Sequence, residues 1–359
     1  MNNILVIATA ARAGGALSIL KKTISDAKKT TEKYTFLVDP SIKNTLDKSD
    51  NIEYIGINTK NWIKRIYFDI FGYSKIIKNS TYNICLNLQN VPVRIKNIKQ
   101  YVYYHQSLPL IRYNFFKKDK KLWLYQKFYL FFVKINISYA YKFIVQTQWI
   151  YKNLYTKINF PSEKVEIIEP VININKDLIN TKLYDPNKNI LFYPAAPYFY
   201  KNHIVIIHAL LKIPESYLRE NNYLLILTIT ENEYVEIYKE NIPSSLKEFI
   251  KFLGKINNQE VHHYLNISKA LLFPSYIETF GLPLIEAMNH GCFIIASDLE
   301  YSYDTLKKYN NKSLCSNDNI EMWANEIKSL IEKNKIQYID NSINLNKDII
   351  NFIINDNKD

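Results

Sequence analysis

A chain of 359 residues has room for two ordinary domains, and 47% hydrophobic with 14% aromatic content excludes an intrinsically disordered chain. Lys and Arg total 46 against 34 Asp and Glu, a formal charge of +12 that favours an anionic partner: nucleotide phosphates, a lipid surface or nucleic acid. Heavy use of Asn, Ile, Lys and Tyr offers a second account of that charge, drift toward AT-rich codons. Cys85, Cys292 and Cys315 are too widely spaced for a disulfide framework or a CxxC metal pair, which suits a reducing cytosol.

The N-terminus, MNNILVIATAARAGG, lacks the basic region of a signal peptide. It reads as a buried strand, ILVIATA (4–10), entering a glycine-rich loop and the helix ALSILKKTISDAKK. Further strand-like runs follow at YTFLVD (34–39), IEYIGI (52–57), NICLNLQ (83–89), QYVYYHQ (100–106) and KFIVQTQ (142–148). The greasiest segment, LWLYQKFYLFFVKINI (122–137), is broken by Lys127 and Lys134 and falls short of the roughly 20 apolar residues of a spanning helix. After VEIIEPVININKD (165–177) a second set begins: NILFYPA (189–195), YLLILTIT (223–230), IKFLGK (250–255), KALLFPS (269–275) and CFIIASD (292–298). Near-continuous apolar strands separated by helices predict parallel sheets covered on both faces. The expected fold is therefore α/β, with Rossmann-like domains over 1–175 and 176–335. A helical tail over 336–359 could pack back on the first. Two such sheets facing one another would make a central cleft, with useful residues just after the strands.

Seven glycines in 359 residues is about 2%, against roughly 7% in typical proteins. Where drift removes dispensable glycines, the survivors mark backbone needs. Gly14 and Gly15 open the first helix, whose N-terminal N–H groups and partial positive charge suit a phosphate. Their spacing is not the dinucleotide GxGxxG. Gly254 and Gly291 read as ordinary turns. Gly281 lies in PSYIETFGLPLIEAMNHG (274–291) between Glu278 and Glu286. The strand KALLFPS is followed there by the loop YIETFG and a short helix LPLIEAMNHG, with Pro283 in the first turn. Amides of Thr279, Phe280, Gly281 and Leu282 can cradle a diphosphate, and each glutamate can accept bonds from sugar hydroxyls.

This stretch resembles the E-x7-E signature of the family-4 retaining glycosyltransferases, which have the GT-B fold of two facing Rossmann-like domains. IKFLGKINNQEVHHYLNISKALLFPS, FIIASD, VIATAARAGGALSIL and FIVQTQWIYKNL extend the resemblance over most of 1–310, loosely across 20–95. It implies that Glu278 holds hydroxyls of the transferred sugar, Thr279 to Leu282 offer amides to the donor, and Glu286 binds ribose. It also implies that Gly14 and Gly15 admit the diphosphate and that His105, in YHQSLP, faces the donor sugar. Lys201, in ILFYPAAPYFYKNHIVIIHAL, matches the lysine that stabilises the leaving diphosphate and is expected to open a helix. Ala195 or Ala196 stands where the family has arginine, so Arg12 or a nearby lysine would have to compensate.

Such a chain would move a hexose-type sugar from a nucleoside-diphosphate sugar to a hydroxyl, with retention. No DxD string occurs and no His/Cys/Asp cluster has metal-ligand spacing, so no cofactor or divalent metal is expected. NWIKRIYFDIFGYSKIIK (61–78) and RYNFFKKDKKLWLYQKFYLFF (112–132) interleave aromatics with Lys and Arg, as at the surface of an anionic bilayer. For 121–132 an amphipathic helix packed on its own domain is the first choice. The acceptor implied by the resemblance is a lipid-linked oligosaccharide of bacterial O-antigen or capsule synthesis, at the cytoplasmic face of the plasma membrane. The rivals are a GT-B sugar-nucleotide epimerase, a GT-B protein without catalysis, and a basic nucleic-acid or membrane-binding protein. A nucleic-acid partner would leave the glycines and paired glutamates unexplained.

Overall fold

The computed structural model describes residues 2–59, 68, 72–77, 81–111, 113–116, 119–169, 178–336 and 348–358. Two compact units form, one from Met1–Val171 with Asn344–Asp359, the other from Ile172–Ile343.

The first unit is built on seven parallel strands: β1 (Asn3–Ala8), β2 (Lys33–Val38), β3 (Ile52–Gly56), β4 (Ile84–Asn87), β5 (Lys99–Tyr104), β6 (Lys142–Val145) and β7 (Val165–Ile167). Their order is β3-β2-β1-β4-β5-β6-β7. The pleat sends alternate residues of β1 to opposite faces. Ile4, Val6 and Ala8 join a core with Leu20 and Ile24 of the helix Gly14–Ala27, while Leu5 and Ile7 pack with Leu37, Tyr73 and Cys85. The C-terminal helix Ile349–Asn355 lays Ile350, Ile353 and Ile354 into the first of these cores. Each such side chain stabilises by about 1.5–3 kcal/mol. Asp356 secures the helix end, pairing with Lys142 and accepting from the Tyr101 hydroxyl at 2.7 Å.

The second unit has six parallel strands: β8 (Asn189–Tyr193), β9 (Tyr223–Leu227), β10 (Ile250–Phe252), β11 (Ala270–Phe273), β12 (Phe293–Ser297) and β13 (Lys312–Cys315). Their order is β10-β9-β8-β11-β12-β13. In each sheet the chain winds outward one way, then resumes on the other side of its starting strand. That reversal leaves a crevice beyond the strand ends, between β1 and β4 in one unit and β8 and β11 in the other.

Ten strand-like runs of the sequence become strands, each trimmed where the loop begins. IEYIGI likewise yields β3. Two further strands, β7 and β13, are additions at sheet edges. The three cysteines are free and buried. The boundary segment 170–177 and most of 61–71 lie outside the described residues.

Candidate active site at the ends of β8 and β11

Beyond β8 the chain runs through Pro194 to Tyr198 and tightens into a 3-10 turn, Phe199–Lys201. Lys201 therefore closes this turn and does not open a helix. Asn202 intervenes in the left-handed region (φ 56°), and only then does the helix His203–Leu211 begin. The cause is local: Lys201 N–H bonds back to Tyr198 O at 2.9 Å, and the Tyr193 hydroxyl holds Lys201 O at 2.7 Å.

Beyond β11, Pro274 to Gly281 form the loop anticipated from sequence, and the helix Leu282–Asn289 follows, with Gly281 as its N-cap. Gly281 has φ 74°, and a Cβ there would sit 3.0 Å from Leu284 Cδ1. The position requires glycine both for backbone angle and for space. Pro283 lacks an N–H, and among the described residues nothing accepts from the amides of Phe280, Gly281 or Leu282. They are the orphan donors of a helix start, where the dipole is positive.

Lys201 Nζ and Glu278 Oε1 form an ion pair, with the two side chains only 16% and 15% exposed. Residues 77 apart in sequence are thus joined at the crevice. Glu286 lies one turn into the helix. Its carboxylate has no hydrogen-bond or ion-pair partner among the described residues, and burial raises its pKa. A half-buried carboxylate without a partner is costly unless something donates to it. Thr279 lies between Glu278 and the free amides.

The other anticipated residues belong to the first unit. Gly14 (φ 58°) and Gly15 start the helix Gly14–Ala27, and a Cβ on either would meet nothing within 4 Å. His105 follows β5. Its N–H bonds Asn90 Oδ1 at 2.6 Å, its ring lies 5.6 Å from that of Tyr103, and burial lowers its pKa to about 4. It is therefore neutral at physiological pH. Arg12 already has a carboxylate partner within the first unit, its Nε contacting Asp39 Oδ2 at 2.6 Å. Burial would raise the Asp39 pKa, but bonds from the Ser41 hydroxyl and amide and from Arg12 lower it overall.

Sequence reasoning passed over the residues that hold these loops. Ala195 N–H donates to Thr228 Oγ1 at 3.0 Å, fastening the loop after β8 to β9 where the family arginine would stand. Tyr198 and Tyr200 stack at 5.3 Å and 6°, with Lys201 Nζ 5.6 Å from the Tyr200 ring centre. In the first unit Thr9 donates to Gln89 at 2.9 Å, linking the β1 and β4 ends. Only the run Pro-Tyr-Phe-Tyr before Lys201 was visible as a signal.

The helix Lys120–Ile135 packs on its own unit along one stripe, Leu122, Trp123, Gln126, Tyr129, Leu130 and Val133, with Gln126 donating to Ile111 O and Tyr113 O, but its other faces are apolar too. Val133 is its single buried residue, and Leu124, Tyr125, Phe128, Phe131, Phe132 and Ile135 are exposed, Phe131 by 56%. Its four lysines meet no acidic side chain within the helix. Among the described residues no helix is long and apolar enough to cross a membrane. None of their His, Cys, Asp and Glu side chains form a group of three that could hold a metal ion.

Residues 175–349 match the family model described as glycosyl transferases group 1. The chain is 23% identical over 299 residues to the O-antigen chain mannosyltransferase RfbU of Salmonella typhimurium, spanning 83% of this chain and 76% of that one. It is 28% identical over 201 residues to the capsular polysaccharide biosynthesis glycosyltransferase CapH of Staphylococcus aureus, spanning 54% and 53%. A crystal structure of a glycosyltransferase from Rickettsia africae superposes with a TM-score of 0.63 at 17% identity, covering 92% of this chain and 88% of that one. The second unit is thus similar to the group 1 glycosyl transferases, and the chain is a glycosyltransferase with two parallel-sheet Rossmann-like domains of the GT-B kind.

Proposed function

We propose that the chain transfers a hexose-type sugar, with retention, from a nucleoside-diphosphate sugar to a lipid-linked oligosaccharide in O-antigen or capsule synthesis. The observation that carries the donor assignment is the Lys201–Glu278 pair beside the free amides of Phe280 to Leu282. As the bond from C1 to the diphosphate stretches, negative charge gathers on the leaving oxygen. Lys201 and the helix-start amides meet that charge without reorganising, an effect worth about 3–4 kcal/mol for a well-placed donor. Glu278 takes hydroxyls of the sugar, and Glu286 gains from ribose the donors it lacks. With Lys201 and the amides on the diphosphate, the reaction proceeds without a divalent metal. Retention rests on the resemblance of 274–291 to the E-x7-E signature. The polysaccharide setting is supported by the named activities of the two relatives.

Thermal-shift measurements with UDP-, GDP-, ADP- and dTDP-sugars test the donor. At a hundredfold excess over Kd, one of them should raise the melting midpoint by about 5–10 °C. No shift with any of the four at millimolar concentration would defeat the assignment.

The acceptor's lipid anchor agrees with the helix Lys120–Ile135, whose exposed aromatics and lysines match the interface of an anionic bilayer. Flotation with vesicles containing one-third phosphatidylglycerol should carry the wild-type chain. Phe128→Glu combined with Phe131→Glu should leave it at the bottom of the gradient. If the double variant floats like the wild type, this helix is not the membrane contact.

A further inference from the structure

The ion pair between Lys201 and Glu278 joins two long, flexible side chains on different loops, so by itself it fixes neither. Both loops are tied from behind through one buried residue, Asn317, which follows β13 and is 7% exposed. Its Nδ2 donates to Pro274 O and to Ser297 Oγ, both at 2.8 Å. Its backbone carbonyl accepts from Asn202 Nδ2 at 3.1 Å. Pro274 begins the loop that carries Glu278, and Asn202 directly follows Lys201. The neighbouring Asp318 accepts from the Tyr276 hydroxyl, and Tyr276 N–H reaches Tyr200 O at 2.8 Å. Ser297 Oγ and the Tyr301 hydroxyl both donate to Ser275 O, at 3.0 and 2.9 Å.

Resting on the donor reading above, we infer that Asn317 is a positioning residue for transfer, setting the register of the Lys201 turn against the Glu278 loop. It touches neither the Lys201 nor the Glu278 side chain and acts through Pro274 O, Ser297 Oγ and Asn202. Its amide has two donors, and both are used on acceptors that no neighbouring group replaces. Losing them releases Pro274 at the head of a turn otherwise held at Ser275 and Tyr276, and a displacement of about 1 Å at a reacting centre costs on the order of 100-fold in rate. The amides of Phe280 to Leu282 lie at the far end of that loop, where Thr305 Oγ1 holds Phe280 O and the helix Leu282–Asn289 begins, so donor binding should suffer less than turnover.

The test is release of nucleoside diphosphate from UDP-glucose, GDP-mannose, ADP-glucose and dTDP-glucose, using whichever the wild type hydrolyses fastest. Asn317→Asp keeps the shape but turns a donor into an acceptor. Asn317→Ala removes the group without burying a charge, which guards against a misfolded aspartate variant. Both should lower kcat about 10–100-fold while KM for the sugar nucleotide stays within about threefold. Asn317→Ser, which keeps one donor, should recover part of the loss. Ile226→Val, a core change in β9, should lower the melting midpoint comparably and leave kcat unchanged. Asn317→Ala with kcat within twofold of wild type, or a loss of kcat that tracks melting midpoint as Ile226→Val does, would overturn the inference alone. No hydrolysis of any of the four by wild type would overturn the donor reading and this inference with it.

Discussion

Glu278→Gln is expected to lower donor turnover by 10²–10³-fold, and Lys201→Ala by a similar factor, with both variants folded. Glutamine keeps the length of the side chain but carries no charge for Lys201 and accepts from sugar hydroxyls at one oxygen only. Alanine at 201 removes the cation paired with Glu278. The fold survives because the ion pair does not hold the loops. The turn before Glu278 is held by Ser297, Tyr301 and Asn317, and the turn before Lys201 by Tyr193 and Tyr276. Each single change leaves a partner mostly buried without its counter-charge, a penalty of about 1–3 kcal/mol. That lowers the melting midpoint without unfolding a unit whose net stability is about 5–15 kcal/mol. The double variant should fall only slightly below the worse single one, because the two groups act together on one transition state. Turnover of purified variants, with circular-dichroism melts alongside, checks this. More than a third of wild-type turnover in either single variant would remove the pair from the chemistry.

Much of this arrangement could be read from the sequence, because the signals were local and the chain is poor in the residue that carries them. Gly281 stood out where glycine is rare, and the structure gives it φ 74°. Lys201 was found through its match to the lysine of the resembled family, although that match missed the turn that places it. The unread strands, β7 and β13, are edge strands of three and four residues, mostly half-buried. Strands buried on both faces announce themselves as apolar runs, and edges do not. Asn202 was overlooked for a different reason. Of the six non-glycine residues with positive φ among the described residues, five are asparagine: Asn90, Asn97, Asn159, Asn202 and Asn222. Asparagine is the side chain that best tolerates the left-handed region. In a chain that has shed glycine, asparagine takes over many of its turns, so counting glycines undercounts the points where the backbone must bend. Two of these five stand beside candidate site residues: Asn90, after β4, accepts from His105 N–H, and Asn202 directly follows Lys201.

Gly291→Ala is expected to destabilise the second unit by about 3 kcal/mol and lower its melting midpoint by about 10 °C. The helix that begins at the free amides ends here. His290 is its C-cap, Gly291 (φ 70°) N–H returns to Met288 O at 2.9 Å, and Cys292 N–H to Ala287 O at 3.1 Å. These are the two bonds of a Schellman motif, with glycine at its left-handed position. A methyl group there costs about 1 kcal/mol in backbone strain alone. The collision costs more, since the new Cβ would fall 1.9 Å from Ile336 O. That carbonyl cannot retreat freely, because Ile336 N–H bonds Gly291 O at 3.0 Å and Lys335 Nζ holds Leu265 O and Asn266 O at 2.6 and 3.0 Å. Asparagine separates the two effects. At Gly14 (φ 58°), where a Cβ meets nothing within 4 Å, Gly14→Asn should change the midpoint by under about 2 °C. Gly291→Asn should fall as far as the alanine variant, because relief of strain does nothing for the steric clash. If Gly291→Asn melted with the wild type, the helix end would be freer than the bond to Ile336 implies, and the fixed geometry of the amides at its other end would lose its anchor.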